Sequence, residues 1–334
     1  MHWSNKMKRT ALKLAVLSTL GLTSASVFAA FVTLPPAGSP VAAGFNYPGS
    51  PAGTTAYVLC NTTGNFGILP TTYPTSSADA CAVVPASETT SPEAGFSLIT
   101  AANRPIVVNN TYTGNVAKTV GNVQEYVWRN TAATECIYGA KAVMLSTAGA
   151  DYLPAAGAQN FEINDIARGG FSGRPVAVAY AVFGTTAEVL FRAGLTYTSA
   201  QHRGGVAQYA ELPLTTPSPG TPIPSIVGVD ALPLTSIPTA AQQAAPLNDN
   251  WVNFTTDVNV NDDDGSSKAH SSLVYVKTTC NSSAPTAVAG AIRVRQSFQE
   301  LSGDGVSANR FIEVSVTGFV PPGGTVTPAH TDPF

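Results

Sequence analysis

Ile292-Arg293-Val294-Arg295-Gln296-Ser297-Phe298, followed by Ile312-Glu313-Val314-Ser315-Val316-Thr317, carries the cleanest alternation of apolar and polar residues in the chain. Successive side chains of a strand point to opposite faces. Ile292, Val294 and Phe298 therefore share one face, as do Ile312, Val314 and Val316, and the opposite faces are expected to be wet. If Gly303-Asp304-Gly305 turns the chain between the two runs, Arg293 and Arg295 meet Glu313 across neighbouring strands, a pairing worth about 0.2–1 kcal/mol. Unpaired, solvated charges account for the same pattern equally well.

Working outward, short β-prone runs bounded by Asn, Thr and Gly recur at 56–60, 105–108, 123–128 and 137–143. Val176 to Phe183 and Ala187 to Arg192, separated by Gly184-Thr185-Thr186, read as a hairpin. Helical periodicity is scarce. Residues 158–168 fit a short helix, although Phe161-Glu162-Ile163 alternates well enough for a strand. From 212 to 248, Pro213, Pro217, Pro219, Pro222, Pro224, Pro233, Pro238 and Pro246 interrupt any regular element, which predicts an extended connection with room for one short helix at 240–245. No fixed-period repeat is present. The expected fold is mainly β, an antiparallel β-sandwich-like arrangement with long Thr/Pro/Gly-rich loops, in one domain or two packed subdomains: a β-rich region 30–211, the Pro-rich connection 212–248, and a β-rich region 249–334 packed against the first.

The N-terminus reads as an export signal. Lys6, Lys8, Arg9 and Lys13 precede the apolar Leu14 to Leu22, and Val27-Phe28-Ala29 places small residues where cleavage after Ala29 is expected, with Ala30 as the alternative. The apolar run is too short for a transmembrane helix, so no transmembrane span is expected in the mature chain. Cleavage of 1–29 removes four basic and no acidic residues, leaving 13 basic against 20 acidic and a net charge near −7 instead of −3. That balance argues against nucleic acid and anionic membranes as partners. Only 11% of residues are charged, with Thr, Ser, Gly and Pro abundant, a profile that suits a secreted, periplasmic or cell-surface β-protein. In such a compartment Cys60, Cys81, Cys136 and Cys280 are expected as two disulfides. Of three possible connectivities, Cys60–Cys81 and Cys136–Cys280 are favoured.

Chemistry-bearing residues are few. Asp257-Val258-Asn259-Val260-Asn261-Asp262-Asp263-Asp264-Gly265 gathers oxygen donors, and Asp257, Asn259, Asp262, Asp263 and Asp264 form a candidate calcium site, though Asp262 and Lys268 stand where an EF-hand needs Gly and Glu. The same segment reads as a solvated hairpin tip, with Asp264-Gly265 turning the chain between Val258/Val260 and Leu273 to Val276. His202 and His270 are candidate ligands for copper or zinc if distant strands bring them together; His330 is a lone surface histidine in the same reading. Gly170-Phe171-Ser172-Gly173-Arg174 misses the nucleophile-elbow pattern at Arg174, so a Ser172, His202 and Asp165 triad has little support. Trp128, Trp251, Tyr126 and Tyr275 could stack sugar rings or pack in the core.

The expectation is thus a structural or adhesive protein without catalytic activity, its partners being itself or other surface or matrix components. Phe31-Val32-Thr33-Leu34-Pro35 and edge strands are available for β-augmentation. The alternative is a ligand-binding module for calcium, copper or carbohydrate.

Overall fold

The computed structural model describes residues 31–40, 54–60, 81–109, 113–150, 160–190, 192–197, 199–202, 209–212, 247–261, 267–297 and 311–326. The export signal 1–29, most of the Pro-rich connection, Asp262 to Asp264, the Gly303-Asp304-Gly305 turn and His330 lie outside them.

The strands are β1 (Val32–Leu34), β2 (Ser39–Pro40), β3 (Thr54–Thr55), β4 (Tyr57–Leu59), β5 (Phe96–Val108), β6 (Lys118–Asn130), β7 (Glu135–Met144), β8 (Ile163–Gly169), β9 (Val176–Ala181), β10 (Arg192–Gly194), β11 (Ser199–His202), β12 (Tyr209–Leu212), β13 (Trp251–Val258), β14 (Leu273–Thr279), β15 (Thr286–Ser297) and β16 (Phe311–Val320). Twelve of them form two six-stranded antiparallel sheets. Sheet one has the order β1-β9-β14-β7-β6-β5 and sheet two the order β16-β15-β8-β13-β10-β4, while β2–β3 and β11–β12 make separate two-stranded ribbons. The sheets do not close into a barrel and form a sandwich-like arrangement. Strands from both sides of the Pro-rich connection contribute to each sheet.

The alternation that opens the sequence analysis lies in the β15–β16 hairpin, where Ile292 faces Val316 and Arg295 faces Glu313. Ile292, Val294, Val314 and Val316 pack with Ile166 and Phe254 of sheet two against Val123, Val127, Val178 and Val276 of sheet one. Within the stretch that fits a short helix, the structure has the strand β8 (Ile163–Gly169), every residue of which is buried. Both disulfides have the expected partners, with Cα–Cα distances of 4.9 Å for Cys60–Cys81 and 5.7 Å for Cys136–Cys280. Cys136–Cys280 stitches the adjacent strands β7 and β14 at their ends. Closing loops of these lengths stabilises by about 3–5 kcal/mol each in the chain-entropy account.

Three local expectations are corrected. Residues 176–183 and 187–192 do not form a hairpin: β9 lies in sheet one and β10 in sheet two. The edge of β9 is already occupied, by β1 at Val176 to Val178 and by Ala82 at Tyr180, so the chain after Gly184 bridges to His270 and crosses to the other sheet. Among the described residues, the Asp257–Val276 segment likewise pairs with itself only at the bridge of Asn259 with Lys268, after which β14 joins sheet one. Finally, the polar face of β15 and β16 is not wet. Arg293, Arg295 and Glu313 are buried.

Candidate functional site

The hidden polar face of sheet two is built as a rung. Glu313, Arg295, Asp165, Thr255 and Arg192 stand directly opposite one another on β16, β15, β8, β13 and β10. Arg295 donates from Nε to Glu313 Oε2 at 2.9 Å and from Nη1 to Asp165 Oδ1 at 2.7 Å, and Asn253 Nδ2 donates to the same Asp165 oxygen at 2.7 Å. Tyr197 closes the rung: its hydroxyl donates to Glu313 and its ring lies 4.6 Å beneath the Arg295 guanidinium. Arg293 adds Nη1 bonds to Glu313 Oε1 and to Ser315 Oγ. Burial pulls the Arg295 guanidinium down, but Asp165 and Glu313 outweigh it and hold the group above its ordinary value. Burial, and then Glu313, pushes the Tyr197 phenol up. As a catalytic pair Asp165 and Glu313 would need access to substrate; here both are buried and face arginine.

A second charge set joins the sheets through the core. Glu125 of β6 accepts from Arg104 Nε at 2.8 Å, from Arg168 Nη2 at 3.0 Å and from the Phe319 amide at 2.9 Å, so one carboxylate ties β5 and β6 to β8 and β16. Burial lowers the Arg168 guanidinium below its ordinary value, and Glu125 acts against that. In sequence the sign of this clamp is Glu125 itself, an acid on the core parity between Val123 and Val127.

The outer face of sheet one is covered differently. Residues 82–95 run across it as a strap, sealing Trp128, Tyr275, Leu273 and Ile137 into a small apolar layer. Trp128 Nε1 donates to the Thr89 carbonyl at 3.1 Å, Tyr126 OH to Glu88 at 3.3 Å, Lys141 to Glu88 at 2.5 Å and Lys277 to Glu93 at 2.6 Å. The Tyr126 phenol is pushed up to about 12, first by burial and then by Glu88. Among the described residues, the strap reaches only part of the sheet. Beyond Tyr126 the register sets Ala101 opposite Tyr126, Asn103 opposite Gln124 and Pro105 opposite Asn122, with Ala101, Asn103 and Pro105 exposed and Asn122, Gln124 and Tyr126 half-buried.

The residues singled out from sequence are placed as follows. Asp257 and Asn259 are buried at the end of β13, and Asn259 commits Nδ2 to Glu162 at 2.7 Å and Oδ1 to the Asn261 amide. Asp262, Asp263 and Asp264 are outside the described residues. His270 bridges Val143 and Ala187, with Nδ1 3.4 Å from Thr186 Oγ1; burial and then Lys141 lower its pKa. His202 ends β11 opposite Tyr209. Among the described residues no three His, Cys, Asp or Glu side chains gather for a metal ion.

Ser172 Oγ bonds Asp249, at 3.1 Å to Oδ2, whereas Asp165 faces Arg295, so the geometry does not pair Ser172 with Asp165. The surrounding turn needs Gly170 for backbone reasons: its φ is +102°, and a Cβ there would meet Val320 Cγ1 at 2.5 Å. The four aromatics do not form one platform. Tyr126 stacks on Trp128 at 5.6 Å and Trp128 meets Tyr275 at 5.8 Å on sheet one, but Trp251 lies on sheet two, 4.4 Å from Tyr197. Sequence reasoning missed Asn103 because only 105–108 of β5 reads as a strand. The Asn122, Gln124, Tyr126 period of two was available.

No described helix is long and apolar enough to cross a membrane. Compared with protein-family models, with curated proteins and with solved structures, the chain matches none.

Proposed function

We propose that this chain is an exported adhesive β-protein, acting outside the cytoplasm as a disulfide-stapled scaffold that holds to surface or matrix material. What supports this reading is how the chain distributes its few charges. Glu125, Asp165, Arg168, Arg293, Arg295 and Glu313 are buried in structural networks, while, among the described residues, the part of sheet one between Tyr126 and the edge strand β5 is left open and presents the uncharged Ala101, Asn103, Pro105, Asn122 and Gln124. A face of that kind suits contact with large neutral material better than chemistry on a small charged substrate.

The contact runs through the face in preference to the strand edge. β5 has register shifts between Leu98 and Thr100 and between Ile106 and Val107, and Pro105 lacks an amide proton; all of these discourage a foreign strand from extending the ladder. At the opposite edge, the stretch Phe31 to Pro35 contributes β1, which pairs with β9 of its own chain.

The test is to secrete the full chain, determine its N-terminus, and measure its retention on cell-wall preparations, extracellular-matrix protein and abiotic beads. A processed protein retained on at least one of these is the expected result. A chain that stays unprocessed in the cytoplasm, or a processed chain that washes off every surface, overturns the reading.

A further inference from the structure

We infer that the open half of the outer face of sheet one, on β5 and β6, is a contact surface for an uncharged, hydroxyl-rich glycan chain. This rests on the adhesive reading and names the material held. Asn122, Gln124 and Tyr126 alternate along β6 and so project from the same face as a row about 13 Å long, at roughly 3.3 Å of rise per residue. Asn103 extends the row sideways, directly opposite Gln124, and the small Ala101 opposite Tyr126 leaves the ring unobstructed on that side.

The chemistry of the row narrows the partner. A primary amide both donates and accepts, as a sugar hydroxyl does; Asn103 and Asn122 offer that dual capacity without charge, and Gln124, whose Oε1 is buried, adds the donor side of its amide. Tyr126 supplies an apolar ring at the end of the row. It is held rigid, stacked on Trp128 at 5.6 Å with its hydroxyl bonded to Glu88, so little side-chain freedom is lost when a sugar ring packs on it. On the neighbouring strand the cation opposite Gln124, Lys141, is paired with Glu88 and buried. An anionic polymer such as nucleic acid or a sulfated glycan therefore finds no counter-charge on the row. A second copy adding a strand meets the bulges and Pro105 of β5.

The experiment is affinity electrophoresis of the mature protein in native gels containing dextran, laminarin, xyloglucan, galactomannan or mannan, with heparin and polygalacturonate as charged comparators. Retardation by at least one neutral polysaccharide, insensitive to salt, is expected. Asn103→Ala combined with Gln124→Ala weakens it about tenfold, the loss of hydrogen bonds worth together about 1.4 kcal/mol. Asn103 is exposed and Gln124 half-buried, so an unchanged melting temperature is needed to confirm that the fold persists; should it fall, the single variant Asn103→Ala is scored alone for a smaller loss in the same direction. No retardation by any neutral polysaccharide, retardation undiminished in the variants, or salt-sensitive binding to the charged polymers alone overturns the inference. Retention on protein or abiotic surfaces without glycan binding removes this inference and leaves the adhesive reading; loss of both removes both.

Discussion

The outer faces of the two sheets solve one problem in opposite ways. Each is buried around a tryptophan whose ring lies over a glycine of the adjoining strand: Trp128 over Gly139 in sheet one, 2.8 Å from where a Cβ would stand, and Trp251 over Gly169 in sheet two, at 3.0 Å. Around Trp128 the layer is apolar, and at its margin the strap's Glu88 and Glu93 pair with Lys141 of β7 and Lys277 of β14. Around Trp251 the layer is ionic, with Asp165, Arg295 and Glu313 on one rung. A buried apolar layer tolerates rearrangement, because its contacts are many and individually weak. A buried ionic rung does not, because removing one member leaves the others charged and without solvent. The sandwich thus has a forgiving face and a brittle one.

Arg295→Met is the most severe way to break that comparison. It leaves Asp165 and Glu313 buried without their shared cation, and a loss of about 3–5 kcal/mol is expected in urea unfolding. Combining it with Asp165→Leu and Glu313→Leu recovers most of that loss if the rung serves specificity more than stability. If the single variant costs no more than a surface substitution, the brittle face is an illusion. Next in size, Gly139→Ala pushes a Cβ against the Trp128 ring and costs about 1–3 kcal/mol through overpacking; the melting temperature reports it, and a red-shifted Trp emission shows whether the strap lifts. Glu88→Gln keeps the shape but removes the ion pair with Lys141, and about 1 kcal/mol is expected, since the pair is only partly shielded.

The last effect is a titration, absent at neutral pH and confined to the alkaline range. The folded Tyr126 phenol sits at about 12 against an ordinary value of 10. A group with a raised folded pKa contributes stability that is complete below pH 10 and is lost as pH rises towards 12. Tyr126→Phe removes that share of the alkaline decline, read by melting temperature against pH alongside tyrosinate absorbance. An unchanged alkaline limb would mean that Glu88 and burial leave this phenol as free as one in an unfolded chain.

Legibility followed locality. The β15–β16 alternation, the strands at 123–128 and 137–143, and the presence of two disulfides were readable because each depends on neighbours in sequence or on a simple compartment argument, whereas the pairing of Cys136 with Cys280, 144 residues apart, was a preference among three connectivities. The 176–192 hairpin was misread because Gly184 signals a turn but says nothing about which strand edge is vacant when the chain emerges from it. The polar face of β15 was misread as wet for a related reason: alternation reports that two faces differ, and Tyr197 and Trp251, which help to hide Arg295 and Arg293, belong to distant parts of the chain. At the proposed contact surface the β6 period was visible, whereas Asn103 joined it only through pairing.

By itself the sequence determined that this chain is mainly β, that it reads as exported, that it carries two disulfides, and that its charges are few. Composition, strand period and cysteine count are properties of the chain before it folds. Only the tertiary structure decided where those charges go, which strands share a sheet, and which half of sheet one stays open. Those outcomes turn on competition for strand edges and for burial between residues far apart in sequence, and that competition is resolved only when the sheets pack.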